Sequence, residues 1–268
     1  MSKKPLILLL PDRRNWAFDF HCRSLIYRLK DEFDFAVRYS NENPDLSTIP
    51  FDLVCIFFWG YQSNFLKTIG PERIIRVVSS WRWQDPPYGC LTAEAFADKY
   101  LADCGTVTTP ASRLQGVLLD YKENVYLCPH GYEPVIFRPI VRSWRNLRIG
   151  WVGRPDDTIK GLWDILMPAS RDFDFRYSGG DLTRWQVAGF YRHIDVIAVA
   201  SRSESQPMPL IEGMATGCFP VTTDVGIARE LIRSETEGLI IDRSAASFRE
   251  AFEWCSENLG VIRDAARD

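Results

Sequence analysis

Short apolar runs alternate with longer amphipathic segments along the whole chain, the pattern of a parallel sheet covered by helices. The first run, Leu6-Ile7-Leu8-Leu9-Leu10, is the right length for a buried parallel strand and too short for a signal-peptide core or a membrane span. Further strands are expected at 33–39, 53–58, 74–78, 107–109 and 125–128. Helices fit at 18–30 and 93–102, the second opened by Thr92 as N-cap with Glu94 in its first turn. Between 133 and 146, Pro134 and Pro139 break regular structure, and Arg142-Ser143-Trp144-Arg145 is polar enough for the surface. Leu147-Arg148-Ile149-Gly150-Trp151-Val152-Gly153 restarts the pattern, followed by a helix near 160–167 and strands at 173–177 and 196–199. The expected architecture is α/β: two Rossmann-like units in tandem, residues 1–138 and 139–268. Ligands in such sheets bind outside the carboxyl ends of the strands.

A length of 268 residues allows each of two modest domains its own core. Hydrophobic content of 46% and charged content of 25% are those of a globular protein rather than a disordered or fibrous one. A net charge of −3 gives no large basic face for a nucleic-acid backbone, although a local basic patch stays open. The seven cysteines include no Cys-x-x-Cys pair, which fits reduced thiols and a cytoplasmic location. None of the three histidines lies near a cysteine in zinc-site spacing, so no metal is expected.

The segment richest in chemistry runs from Ser201 to Gly226. Pro209 suits the start of a helix, where its missing N–H is not needed. That leaves Glu204 in the preceding loop, Glu212 in the first helical turn and Gly217 at the helix end, with the next strand at 219–223. Two carboxylates thus reach a strand-end region where backbone N–H groups of a helix start can meet an anion. On spacing alone, a capped surface helix with a solvated glutamate is the better account. The surrounding Pro209-Leu210-Ile211-Glu212, Met214-Ala215-Thr216-Gly217 and Thr223-Asp224-Val225-Gly226 turn the reading toward function.

This segment resembles the Glu-x7-Glu signature of family-4 retaining glycosyltransferases, which have the GT-B fold: two Rossmann-like domains facing a central cleft. The resemblance implies that Glu204 contacts hydroxyls of the donor sugar, that Glu212 holds the nucleotide ribose, and that Met208, Pro209 and Leu210 lie along the donor. An ionised carboxylate suits either task, since it accepts hydrogen bonds from two neighbouring hydroxyls. Gly153-Arg154-Pro155 followed by Lys160-Gly161 resembles the Gly-Arg strand end and Lys-Gly helix start of the same family. By that resemblance Arg154 and Lys160 hold the donor pyrophosphate, fixed cations stabilising the departing diphosphate without a metal. Tyr177-Ser178-Gly179-Gly180-Asp181 resembles the Gly-rich turn near the nucleobase, adding Ser178 and Gly179 to the donor set; an ordinary tight turn accounts for it equally well. The stretch from Cys128 to Pro139 resembles the strand and turn between the two domains.

The first half departs from the family. Where relatives carry a Gly-rich turn after the first strand, this chain has Pro11-Asp12-Arg13-Arg14-Asn15-Trp16. Arg13, Arg14 and Trp16 are candidates for phosphate or acceptor contact, and a solvated loop remains an equal reading. Trp81, Arg82 and Trp83 mark a second candidate acceptor loop, because tryptophan stacks on sugar rings and on exposed bases alike. Pro207 stands where relatives commonly have glycine and offers no N–H to the donor. Relatives often continue past the helix expected at 246–257 through one that crosses back to the first domain, so the expectation is a small or trimmed version of the family, a compact variant. The implied activity is retaining transfer from a nucleotide-diphosphate sugar, UDP-linked before GDP-linked, with no further cofactor. The acceptor would be a hydroxyl of a glycan or lipid-linked saccharide, with peripheral membrane contact open and no transmembrane segment. A hydroxylated DNA base as acceptor, a nucleotide-sugar epimerase or hydrolase, and a non-catalytic nucleotide-sugar-binding module are the alternatives.

Overall fold

The computed structural model describes residues 3–179 and 182–265. They form two compact units, one ending at His130 and the other beginning at Gly131, each built on a parallel sheet.

The first unit runs β1 (Leu6–Leu10), α1 (Ala17–Leu29), β2 (Asp34–Val37), β3 (Leu53–Ile56), β4 (Ile74–Val77), α2 (Ala93–Tyr100), β5 (Thr106–Thr109), α3 (Ser112–Leu119) and β6 (Val125–Leu127). Its strand order is β2-β1-β3-β4-β5-β6, all parallel. All six expected strands are present. The Thr92 hydroxyl caps α2 by accepting from the Ala95 N–H at 3.1 Å, as its sequence predicts. The apolar pattern misses one member of the core, Arg76 on β4, which is fully buried. Its guanidinium grips Asp103 with both ends, at 2.8 and 2.7 Å, and donates to the carbonyls of Trp59 and Tyr61. A buried charge is tolerated because each of these partners meets it.

The second unit contains β7 (Arg148–Val152), a turn of 3-10 helix (Thr158–Lys160), a π-helical turn (Leu162–Leu166) leading into α4 (Met167–Ala169), then β8 (Asp174–Ser178), α5 (Arg184–Tyr191) and β9 (Val196–Val199). It continues through α6 (Met208–Ala215), β10 (Phe219–Thr223), α7 (Ala228–Leu231), β11 (Leu239–Ile241), α8 (Ala245–Glu257) and α9 (Leu259–Ala265). The sheet is ordered β11-β10-β9-β7-β8, again parallel throughout. Read from β8, this is the order that the first unit shows from β2 to β5, so the tandem repeat expected from the sequence is present. Strand alternation splits β9 between two cores. Val196 and Ala198 pack with Trp151, Leu166 and Phe252 on one face; Ile197 and Val199 pack with Tyr191 and Leu210 on the other.

The segment 142–145 is only partly the surface expected of it: Ser143 and Arg145 are exposed, whereas Arg142 and Trp144 turn inward. Arg142 is buried and donates to four carbonyls: Ile194 and Gly217 at 2.6 Å, Thr216 at 3.1 Å and Tyr191 at 3.2 Å. These carbonyls lie at the carboxyl ends of α5 and α6, where helix dipoles concentrate negative potential, so a cation is held there without a carboxylate. Trp144 is likewise engaged, its indole N–H donating to the buried Asp195 at 2.6 Å. Asp195 also takes the Arg148 N–H and the Arg263 guanidinium, which ties α9 to the sheet.

Replacing Arg142 by Met is expected to leave these carbonyls unpaired and lower stability by about 3 kcal/mol or more, read as a fall in the urea unfolding midpoint. An unchanged midpoint contradicts this account. Gly226 has φ +51°, and a β-carbon there would overlap the Ser205 carbonyl. Gly226→Ala should therefore cost about 1 to 3 kcal/mol. Gly116→Ala, within α3 and facing open space, should instead raise stability by roughly 0.5 to 1 kcal/mol. Thermal melts of the two variants are expected to move in opposite directions.

Candidate active site

In the second unit the chain passes from β7 to the edge strand β8 and returns on the other side of β7 to β9, so the strand order reverses between β7 and β9. In open α/β sheets ligands bind outside the carboxyl ends of the strands at such a reversal. The loops here are 153–161 and 200–207, and they carry Arg154, Lys160 and Glu204.

Local chemistry fixes the first loop. Asp157 accepts from the Ile159 N–H at 3.3 Å and opens the 3-10 turn that ends in Lys160. Gly161 then adopts φ +71°, and a β-carbon there would lie 2.5 Å from the Ala200 carbonyl oxygen. Glycine at this position lets the two loops touch, and the Arg202 N–H donates to the Ile159 carbonyl at 2.9 Å across the contact. Lys160 is thereby brought onto Glu204, its ammonium paired with Glu204 Oε1. The same oxygen accepts from the Ser201 hydroxyl at 2.9 Å, and the Ser201 carbonyl accepts from the Thr223 hydroxyl at 2.6 Å. Arg154 lies on the same loop, 3.5 Å from Asp157 and about half exposed.

The second carboxylate has other surroundings. Helix α6 starts at Met208, with Pro209 as its second residue, so Glu212 lies beyond the first turn rather than in it. It faces α5, with Oε1 3.6 Å from the Arg184 guanidinium and Oε2 3.5 Å from the Tyr191 hydroxyl. Burial pushes its carboxyl up to about 7, against the opposing pull of Arg184 and Tyr191. The helix closes at Gly217, whose N–H donates to the Met214 carbonyl while that of Cys218 reaches Gly213.

The remaining donor candidates follow. Gly153 ends β7, and its N–H donates to the Ser178 carbonyl at 3.2 Å. Ser178 is buried at the end of β8, and a β-carbon on Gly179 would reach Pro155 at 3.9 Å, so this turn adjoins the Arg154 loop. Gly180 and Asp181 lie outside the described residues. Met208 and Pro209 are half-buried; Leu210 is fully buried, which confines any ligand contact to its backbone. Sequence reasoning missed a pair beside them. Trp163 and Tyr177 meet edge to face at 5.6 Å, both about half exposed, and the Trp163 indole donates to the Pro155 carbonyl at 2.7 Å. A tryptophan three residues beyond Lys160 was the available signal.

The other candidates belong to the first unit. Arg13 stacks over Trp16 at 4.0 Å and Arg14 over Tyr39 at 4.4 Å, in a loop that buried Asp19 holds through the Asn15 N–H. Trp81 and Arg82 are half-buried, Arg82 lying 3.4 Å from Asp85. Trp83 has no exposed surface and stacks on Phe96 at 4.1 Å, so it is a core side chain and cannot reach an acceptor. His21 and His130 pair with ring centres 4.1 Å apart, and burial together with His21 pushes His130 down to about 3. Among the described residues no three His, Cys, Asp or Glu side chains are placed to hold a metal ion, and no helix is long and apolar enough to cross a membrane.

Residues 146–258 match the family model described as glycosyl transferases group 1. No curated protein matches the chain. Among solved structures, Anabaena HepE in complex with UDP and glucose aligns with a TM-score of 0.72 at 11% identity, over 98% of this chain and 92% of its own. Sucrose-phosphate synthase from Thermosynechococcus elongatus aligns at 0.73 and 15% identity with the same coverage. A glycosyltransferase from Rickettsia africae aligns at 0.65 and 13% identity, over 99% and 92%. The chain thus has the GT-B fold, two Rossmann-like domains in one polypeptide, and it is the second of them that matches the group 1 glycosyl transferases.

Proposed function

We propose that this chain is a retaining glycosyltransferase that moves a sugar from a nucleotide-diphosphate sugar to a hydroxyl of a glycan or lipid-linked saccharide. The observation that carries the reading is the Lys160–Glu204 pair, with Arg154 on the same loop as Lys160, placed where the strand order reverses and inside the segment that matches the group 1 family. HepE was solved with UDP and with UDP-glucose, which favours a uridine-linked donor.

In this reading the bond from the anomeric carbon to the β-phosphate oxygen breaks, and its electron pair leaves on the diphosphate. Arg154 and Lys160 offset that charge from fixed positions, so no reorganisation is needed as it develops. Glu204, released from Lys160 when the diphosphate takes the cation, accepts hydrogen bonds from donor-sugar hydroxyls. The acceptor oxygen bonds to the face that the diphosphate leaves, and its proton passes to a departing phosphate oxygen. Retention follows from this same-face exchange. No metal enters the reaction.

Lys160→Ala is expected to lower turnover of UDP-glucose with a saccharide acceptor mixture by roughly 10²- to 10³-fold, with product followed by mass spectrometry. Glu204→Ala should lower it by more than about tenfold, since it removes charge-assisted hydrogen bonds to the sugar. Unchanged donor affinity and turnover in both variants would falsify the site assignment. Failure of the unaltered protein to bind any nucleotide sugar would end the transferase reading.

A further inference from the structure

Glu212 is held from one side by a single helix. Arg184 opens α5 and Tyr191 closes it, and each approaches a different oxygen of the carboxylate, at 3.6 and 3.5 Å. Both are themselves supported. The Arg184 guanidinium lies 5.5 Å above the ring of buried Phe137, which packs 6.1 Å from the Tyr191 ring. Tyr191 is fully buried, so its hydroxyl has no solvent to turn toward and stays directed at Glu212. The carboxylate retains acceptor capacity, since an ionised carboxyl offers about four lone-pair sites and these two contacts engage two. A vicinal diol presents two hydroxyl donors at the spacing of the two oxygens.

We propose that Arg184 and Tyr191 are the positioning residues of the donor's ribose subsite: they orient Glu212 and keep it ready to accept both hydroxyls of a ribose diol. This rests on the donor reading above. Neither residue touches the nucleotide; both act through Glu212. The arrangement makes ribose recognition proton-linked. With the carboxyl near 7 in the free site and its charged form required by the diol, preference for ribose strengthens as pH rises through about 7 and weakens below it. Among the described residues the charged or titratable groups acting on Glu212 are Arg184 and Tyr191, both from α5. Behind Tyr191 lies Cys218, a thiol that burial pushes up to about 12 and so keeps neutral in this range.

The test compares UDP, GDP and ADP with their 2′,3′-dideoxy counterparts, the deoxy members of each pair, by calorimetry on the whole chain between pH 6 and 8.5. Each ribo and deoxy pair shares its phosphate titration, so the ratio of affinities isolates the diol contact. The unaltered protein should prefer the ribonucleotide by about tenfold at pH 8, with the preference collapsing below pH 7. Glu212→Gln should show a small ratio that does not change with pH. Arg184→Met should move the midpoint of the ratio up by about one pH unit while leaving deoxynucleotide affinity unchanged, and Arg184→Lys should restore most of the shift. Tyr191→Phe should move it in the same direction by less, which keeps the proposal testable if Arg184→Met fails to fold. An unmoved midpoint in the Arg184 and Tyr191 variants, or equal weakening of both nucleotides of a pair, overturns the positioning role and leaves the donor reading standing. No binding of any of the six nucleotides to the unaltered protein overturns both.

Discussion

Two backbone contacts too close for a β-carbon fix the carboxyl edge of the second sheet: Gly161 against Ala200 and Gly226 against Ser205. Each joins the loop after one strand to the loop after another, and together they hold segment 200–207 from both sides. The Arg202 N–H to the Ile159 carbonyl and the Thr223 hydroxyl to the Ser201 carbonyl complete the clamp. The entropy of ordering these loops is lost once, on folding. Lys160 and Glu204 therefore stand in defined places before any ligand arrives, the condition under which fixed charges act on a reaction most strongly.

The two glutamates of the site occupy contrasting surroundings although they lie eight residues apart. Glu204 shares one oxygen between an ammonium and a hydroxyl and keeps contact with solvent. Glu212 is exposed to a similar extent, but its cation stands farther off, at 3.6 Å. Burial without a close counter-charge favours the neutral acid, so of the two carboxylates Glu212 is the one whose charge is least secure at neutral pH.

The strands were legible because a parallel strand covered on both faces must be apolar along its length, and Leu6 to Leu10 or Val196 to Val199 admit few other readings. The loops carrying Arg154, Lys160 and Glu204 were legible through short motifs whose glycines have a steric purpose. Helix α5 was not legible. Its eight residues include Gly189 and three large aromatics without a clear apolar stripe, and with it went Arg184, Tyr191 and the surroundings of Glu212. Trp83 looked available because Pro86, Pro87 and Gly89 mark its neighbourhood as loop, yet the loop folds its tryptophan inward onto Phe96. Arg142 was hidden for another reason: its partners are backbone carbonyls, which leave no trace in side-chain pattern.

Arg142 and Phe137 also determine where the second unit can be cut from the first. The family match begins at residue 146, and a fragment trimmed to that point would discard both side chains. It would open the carbonyl ends of α5 and α6 to solvent and remove the ring beneath Arg184. These helices carry the residues around Glu212, so such a fragment would keep every motif residue while losing the alignment between them. The natural left-hand limit of an autonomous second unit is therefore Gly131, where the compact body begins, rather than the first residue of recognisable sequence.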